Sequence, residues 1–446
     1  MHDLWAHNLE TASEAMGKTS KTSRRGPTED EVLSSLRAWL LMEYAVPYCR
    51  SLAATRIFRR CFWIDALGHL RSVKAPRPSL ENQNGNSHPS IFDSLIDSQQ
   101  EETVLSPKAT NRKQERALPT VLQPIVKLAG ELSSESKPIT LQGILLANDK
   151  RKAGFVLPKE SAIVPGSWPE VAPQLLASLE QSASIFVLNP FATGSRQADV
   201  PFLPADSFLP LYQRTGPTEL CLFISHTEVA NRLLPALGTP AGASAFTALL
   251  KSDRWKNLLK KEAENRDEAV EQFFSLLIDS MKPHFLSVQR IAFPMLIGPA
   301  TIIDVPYSLI FATRRQDSLN YMNDAVCLRR RRLEEQSHKG LLNEEWFYQQ
   351  LRERRAAGWQ EMKERVLQLG RAQNSRRWPD LRQQLLLSNF GQWTLEDYDE
   401  IIYQLLQEET LRCEWRQRTS MQSGNDAQRI PGNEDTLWWQ LKKRRY

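Results

Sequence analysis

The segment that most narrows the possible folds is Ser184-Ile-Phe-Val-Leu-Asn-Pro-Phe191. Four apolar residues, Ile185 to Leu188, run without alternation into a polar exit that contains a proline. A run of this kind reads as a strand buried on both faces, which requires helices above and below a mainly parallel sheet. In such open sheets the chain leaving the carboxyl end of a strand borders the ligand crevice. The plainer reading of Asn189-Pro190-Phe191 is a strand followed by a proline-containing turn.

The rest of the chain supplies partners for that strand. Cys61-Phe-Trp-Ile-Asp65, Ile139 to Ala147, Glu219 to Ser225, Ser287 to Phe293 and Tyr307 to Ala312 all read as strands. Helical patterns lie between them, at Leu118 to Leu132, Trp168 to Leu179 and Phe246 to Met281. Alternation of this sort predicts an α/β fold, a doubly wound, mainly parallel sheet with helices on both faces. Thr28-Glu-Asp-Glu31 is a capping box that opens a helix through Val32, Leu36, Trp39 and Leu40. Residues 1–27 read as a flexible tail. Residues 71–117, rich in Ser, Asn, Gln, Pro and charge, read as a disordered insertion in a domain spanning 28–328.

After Asp324 the pattern changes. Arg329-Arg-Arg-Arg332 begins a charged stretch, and residues 329–375 read as a helical linker. From 376 to 446 the order is a short helix (Leu381 to Leu387), a turn at Asn389-Phe-Gly391, and a helix capped by Thr394. Two strand-like pieces follow, Leu411 to Trp415 and Thr436 to Leu441. That order is the outline of a winged helix-turn-helix domain.

Bulk properties exclude some classes. No apolar run approaches the ~18 residues needed to span a membrane. No hydrophobic leader stands near Met1. The five cysteines are scattered, with no CxxC or Cys/His cluster, so neither a zinc site nor a disulfide framework is expected and a reducing cytoplasm is the default. There is no GxxxxGK[ST] loop for an NTPase. A net charge of +5 permits contact with nucleic acid without requiring it.

Tyr307-Ser-Leu-Ile-Phe-Ala-Thr-Arg-Arg-Gln-Asp-Ser-Leu-Asn-Tyr-Met-Asn-Asp-Ala325 is similar to a final strand ending "FAT", a basic turn and a helix "GLxxMKDAM". Asp253-Arg-Trp255 and Asn189-Pro-Phe191, beside a family "LDPFG", also match. On these residues the chain resembles the three-Cys-motif partner family over about Thr28 to Val326. The resemblance implies a methyltransferase-like Rossmann fold, S-adenosylmethionine as cofactor, and a partner with a three-cysteine motif similar to radical-SAM proteins. It implies that Asp65, Gly68 and Asp149 bind cofactor. It implies that Asn189, Pro190 and Phe191 form the catalytic loop, the amide and backbone carbonyls accepting from a target amine and the aromatic stacking on a base. The chain departs where the family has "DxFAGPG": here the loop is Asp65-Ala-Leu-Gly-His69, with one glycine and bulky neighbours.

Two functions stay open. One is S-adenosylmethionine-dependent methyl transfer to nucleic acid. The other is a catalytically degraded, methyltransferase-like scaffold that binds DNA or a partner protein through its winged helix. For nucleic acid the candidates are Arg376, Arg377, Arg382, Trp393, Arg412 and Arg416. Against them, the second helix carries Glu396, Asp397, Asp399, Glu400, Glu408 and Glu409, which repel phosphates. His226, following a buried strand, is a candidate general base or a structural histidine.

Overall fold

The computed structural model describes residues 26–67, 122–147, 159–191, 208–257, 266–297, 301–340, 343–374, 376–416 and 430–439. Seven strands form one sheet: β1 (Arg60–Ala66), β2 (Thr140–Ala147), β3 (Ser161–Pro165), β4 (Ala183–Leu188), β5 (Thr218–Ser225), β6 (Ser287–Ile297) and β7 (Thr301–Thr313). Their order is β3-β2-β1-β4-β5-β7-β6. β1 to β5 pair in parallel, and β7 runs antiparallel to both β5 and β6. The expected α/β sheet is therefore present, mostly parallel with one reversed strand. β4 and β5 are buried along their whole length, which the apolar runs Ile185 to Leu188 and Leu220 to Ile224 anticipate. β3 carries no comparable signal. It is a half-buried edge strand ending at Pro165, where the missing ladder partner costs nothing.

The helices, in chain order, begin with α1 (Glu29–Trp39), opened by its capping box, and α2 (Val46–Thr55). A π-turn, Leu40–Ala45, joins them. Pro47 has no N–H to return to the carbonyl four residues back, and the preceding turn widens. Then come α3 (Leu122–Ser134), α4 (Trp168–Ser178), α5 (Leu209–Gln213), α6 (His226–Gly238), α7 (Pro240–Leu250) and α8 (Arg266–Met281). The stretch read as helical from Phe246 to Met281 is thus at least two helices, with 258–265 outside the described residues. α4 and α6 to α8 cover one face of the sheet with Phe186, Leu220, Leu222, Phe246 and Phe274 at their centre. α1 to α3 cover the other, around Trp63, Tyr44, Val187 and Phe311.

The chain continues through α9 (Gln316–His338), α10 (Glu344–Gln373), α11 (Trp378–Ser388) and α12 (Leu395–Gln407), then an antiparallel pair, β8 (Leu411–Glu414) and β9 (Thr436–Trp439). Thr394 and Asp397 form the capping box of α12. The apolar faces of α11, α12, β8 and β9 join the same core as α1 to α3.

α9 runs unbroken past the basic run, and each of the four arginines takes a different partner. Arg329 donates to the Pro294 carbonyl (2.9 Å) and lies 4.1 Å from the Phe293 ring centre. Arg330 donates to the Gly391 carbonyl (3.0 Å), Arg331 pairs with Asp397, and Arg332 pairs with Glu43. Asn323 adds bonds to the Trp393 carbonyl (2.8 Å) and from the Gly391 amide (2.9 Å). No helix among the described residues is long and apolar enough to cross a membrane.

Candidate functional site

The order of the sheet reverses at β1, which sits between β2 and β4. That reversal places the crevice of an open sheet at the carboxyl ends of β1 and β4. Asp65 stands beside Val187 and Ala66 beside Leu188, so Asp65 and Asn189 occupy neighbouring strand ends. Two other residues expected here, Gly68 and Asp149, lie outside the described residues, as does the whole of the 71–117 insertion.

Asp65 is fully buried. Its carboxylate takes a two-pronged ion pair from Arg37 of α1, Nε to Oδ2 at 2.6 Å and an Nη to Oδ1 at 3.1 Å. The Leu67 amide donates to the same Oδ1 (3.1 Å). Arg37 is 6 % exposed, so both charges are out of water. Paired buried charges in this fork geometry are strong, and separating them is costly.

The Asn189-Pro190-Phe191 loop folds on itself. Asn189 Oδ1 accepts from the Phe191 amide (2.9 Å), closing an Asx turn. Phe191 is buried in the core on the α6 side, with the Arg232 guanidinium 5.0 Å from its ring centre. In this geometry the amide oxygen serves the turn and the ring serves the core.

His226 is the first residue of α6, just past the carboxyl end of β5. Its Nε2 is 2.9 Å from Ser308 Oγ, and Arg290 Nε donates to the same oxygen (2.9 Å). Burial, and then Arg290, hold the imidazole below its ordinary value, so it is neutral near pH 7. The Ser308 hydroxyl donates to Nε2 in the Nδ1–H tautomer of the neutral ring and accepts from Nε2–H in the other. This is a nucleophile–base geometry, but Ser308 is 2 % exposed and closed to a substrate.

A second buried acid, Glu219, opens β5 at the amino edge. Tyr44 donates to Oε2 (2.9 Å) and Ser318 to Oε1 (3.0 Å). Burial pushes its carboxyl up to about 8, against the opposing pull of hydrogen bonds from Thr313, Tyr44 and Ser318. The sequence signal was present: a carboxylate heading an otherwise apolar run. Arg37 had no such signal, because one arginine on an amphipathic helix looks like any other.

The six residues expected to meet nucleic acid divide into two groups. Arg382 turns inward to Asp399 (2.6 and 2.7 Å), which also accepts from Trp378 Nε1 (2.7 Å). Trp393 packs edge-on against Trp359, ring centres 5.9 Å apart. The other four gather at the β8–β9 pair. The Arg376 carbonyl accepts from the Leu437 amide (2.9 Å), laying that segment along β9, and its guanidinium lies 5.4 Å from the Trp438 ring centre. Arg377 follows as the exposed N-cap of α11. Arg412 stands opposite Trp438 in the β8–β9 register, and the Arg416 amide donates to Asp435 (3.0 Å).

The acids of α12 are largely committed. Asp397 is held by Arg331 and Arg355 at the edge of a groove of about 680 Å³ lined also by Asp324, Trp359 and Glu400. Among the described residues, no group of three His, Cys, Asp or Glu side chains converges as a metal site. All five cysteines are free thiols. No protein-family model matches the chain, and no curated protein matches it in sequence.

Proposed function

We propose that this chain is a methyltransferase-like protein of the three-Cys-motif partner type whose sheet acts as a scaffold, and which binds DNA through a C-terminal winged-helix unit. One observation carries the scaffold reading: the Arg37 guanidinium occupies the Asp65 carboxylate that a cofactor's ammonium group would need. To reach Asp65, a positively charged S-adenosylmethionine has to displace a buried ion pair. Breaking such a pair costs about 3–5 kcal/mol, roughly a hundredfold to a few thousandfold in affinity. The methyltransferase-like assignment is supported by the position of β7, reversed between β5 and β6, which departs from the dinucleotide-binding order. The winged-helix reading is supported by α11, the Asn389–Gly391 turn, α12 and the β8–β9 pair in that order.

The test is calorimetric titration with S-adenosylmethionine and S-adenosylhomocysteine, beside gel-shift assays with duplex and single-stranded DNA. The expected result is no cofactor binding at micromolar ligand, together with salt-dependent DNA binding. Micromolar cofactor binding that disappears in Asp65→Ala would refute the scaffold reading.

That outcome would favour the second reading, S-adenosylmethionine-dependent methyl transfer to nucleic acid at Asn189-Pro190-Phe191. The observation in its favour is the adjacency of Asp65 and Asn189 at the sheet reversal. A three-Cys-motif, radical-SAM-like partner belongs to either reading, and pull-down with a tagged full chain tests it.

A further inference from the structure

We infer that the outer face of the β8–β9 pair is a stacking platform for single-stranded nucleic acid, with Trp438 under a base and Arg376 and Arg412 on the phosphates. The inference rests on reading residues 376–446 as a DNA-binding unit, and narrows it to one face and one kind of strand.

The two strands have unlike faces. Leu411 and Leu437 point inward and are almost fully buried in the core shared with α12. Trp439 packs inward on α10, where only a glycine at 370 leaves room: a Cβ there would lie 2.3 Å from the indole. Alternation then sends Arg412 and Trp438 outward. Trp438 is 49 % exposed, a large apolar surface left in water on a small two-stranded element.

The charges on this face are arranged around that ring. The Arg376 segment, β9 and β8 are three neighbouring backbones, joined by the Leu437–Arg376 bond and the β8–β9 register. Arg376, Trp438 and Arg412 therefore form a row across them, spanning about 10 Å at ordinary strand spacing. Arg376 lies against the indole, and no carboxylate pairs with Arg376 or Arg412 among the described residues. The carboxylate that shares the face is Glu414, two residues along β8 from Arg412. Asp435 is occupied by the Arg416 and Gly432 amides.

An exposed ring flanked by unpaired guanidiniums matches a strand whose bases are open to stacking. A duplex hides its base faces and offers no open ring for Trp438 to stack on.

The experiment is fluorescence anisotropy of the full chain with a labelled 12-mer of thymidine and with a duplex of equal length, over a range of salt. Expected is tighter binding of the single strand. Trp438→Ala should weaken it roughly tenfold or more, and Trp438→Phe should keep most of it, as stacking on an aromatic face requires. Arg376→Ala with Arg412→Ala should lower the slope of log affinity against log salt by about 1.4, two phosphate contacts on a single strand. Melting temperatures unchanged in these exposed-face variants show that the fold is intact. Duplex binding insensitive to Trp438→Ala overturns the platform and leaves the DNA-binding reading standing. Absence of binding to either probe overturns both.

Discussion

Replacing Glu219 by Gln should change how stability depends on pH more than it changes stability itself. The carboxyl is fully buried at the head of β5, and burial raises it to about 8 in the fold. Unfolded, it returns to the ordinary glutamate range near 4.5. Between these values the folded protein holds a proton that the unfolded chain has released. Stability is therefore fully present below pH 4.5, falls by ~1.4 kcal/mol per pH unit as pH rises, and levels off above pH 8. The whole excursion is about 5 kcal/mol, and the part between pH 5 and 8.5 is about 4 kcal/mol. Gln keeps the shape and stays neutral, and the Tyr44 hydroxyl can turn from donor to acceptor. Urea unfolding followed by tryptophan fluorescence at pH 5.0, 6.5 and 8.5 measures the effect. The variant should gain on the wild type steadily with pH, by a few kcal/mol across the range. Parallel pH profiles for the two proteins would show that Glu219 is ionised in the fold, and the reasoning would fail.

Other perturbations read out other contacts. Asp65→Ala leaves the Arg37 charge buried and unpaired and should cost about 3–5 kcal/mol, whereas Asp65→Leu with Arg37→Met should recover most of it in thermal melts. Gly391 has φ +74°, and a Cβ there would lie 2.6 Å from Val326 Cγ1, so Gly391→Ala should destabilise by ~1–3 kcal/mol. Hydrogen exchange should place that loss at the α9–α12 junction. Of the five thiols four are buried, so a disulfide-exchange reagent should titrate Cys413 first in the native protein and the others only on unfolding.

Much of the framework could be read from residue order, because each element carried its own local cause. The capping box at Thr28 and the cap at Thr394 were visible as spacing, and both form, the second as a box with Asp397. β4 and β5 announced themselves by the apolar runs Ile185 to Leu188 and Leu220 to Ile224. β3 did not, since a short, half-buried edge strand needs neither a run nor an alternation. The site was less legible, because its decisive contacts join distant residues. Asp65 was picked out as a strand-end acid, but its partner is 28 residues away on a helix. Trp393 and Arg382 were chosen for their chemistry, and their neighbours Trp359 and Asp399 use that chemistry inside the fold. Trp438 went unchosen, since only the pairing of β8 with β9 sets it opposite Arg412.

The arginine run in α9 carries a different consequence. Successive residues of a helix project about 100° apart, so four in a row sweep most of the way round its axis. Arg329 to Arg332 accordingly reach the β6 backbone, the Gly391 turn, the cap of α12 and Glu43 at the π-turn. What looks along the chain like one block of positive charge is, in space, four separate tethers fastened to the walls around it. Two of the four charges are neutralised in place, by Asp397 and Glu43. Neutralising Arg329 or Arg332 should slacken one wall each, whereas Arg330 and Arg331 hold the same turn into α12 and their losses should couple.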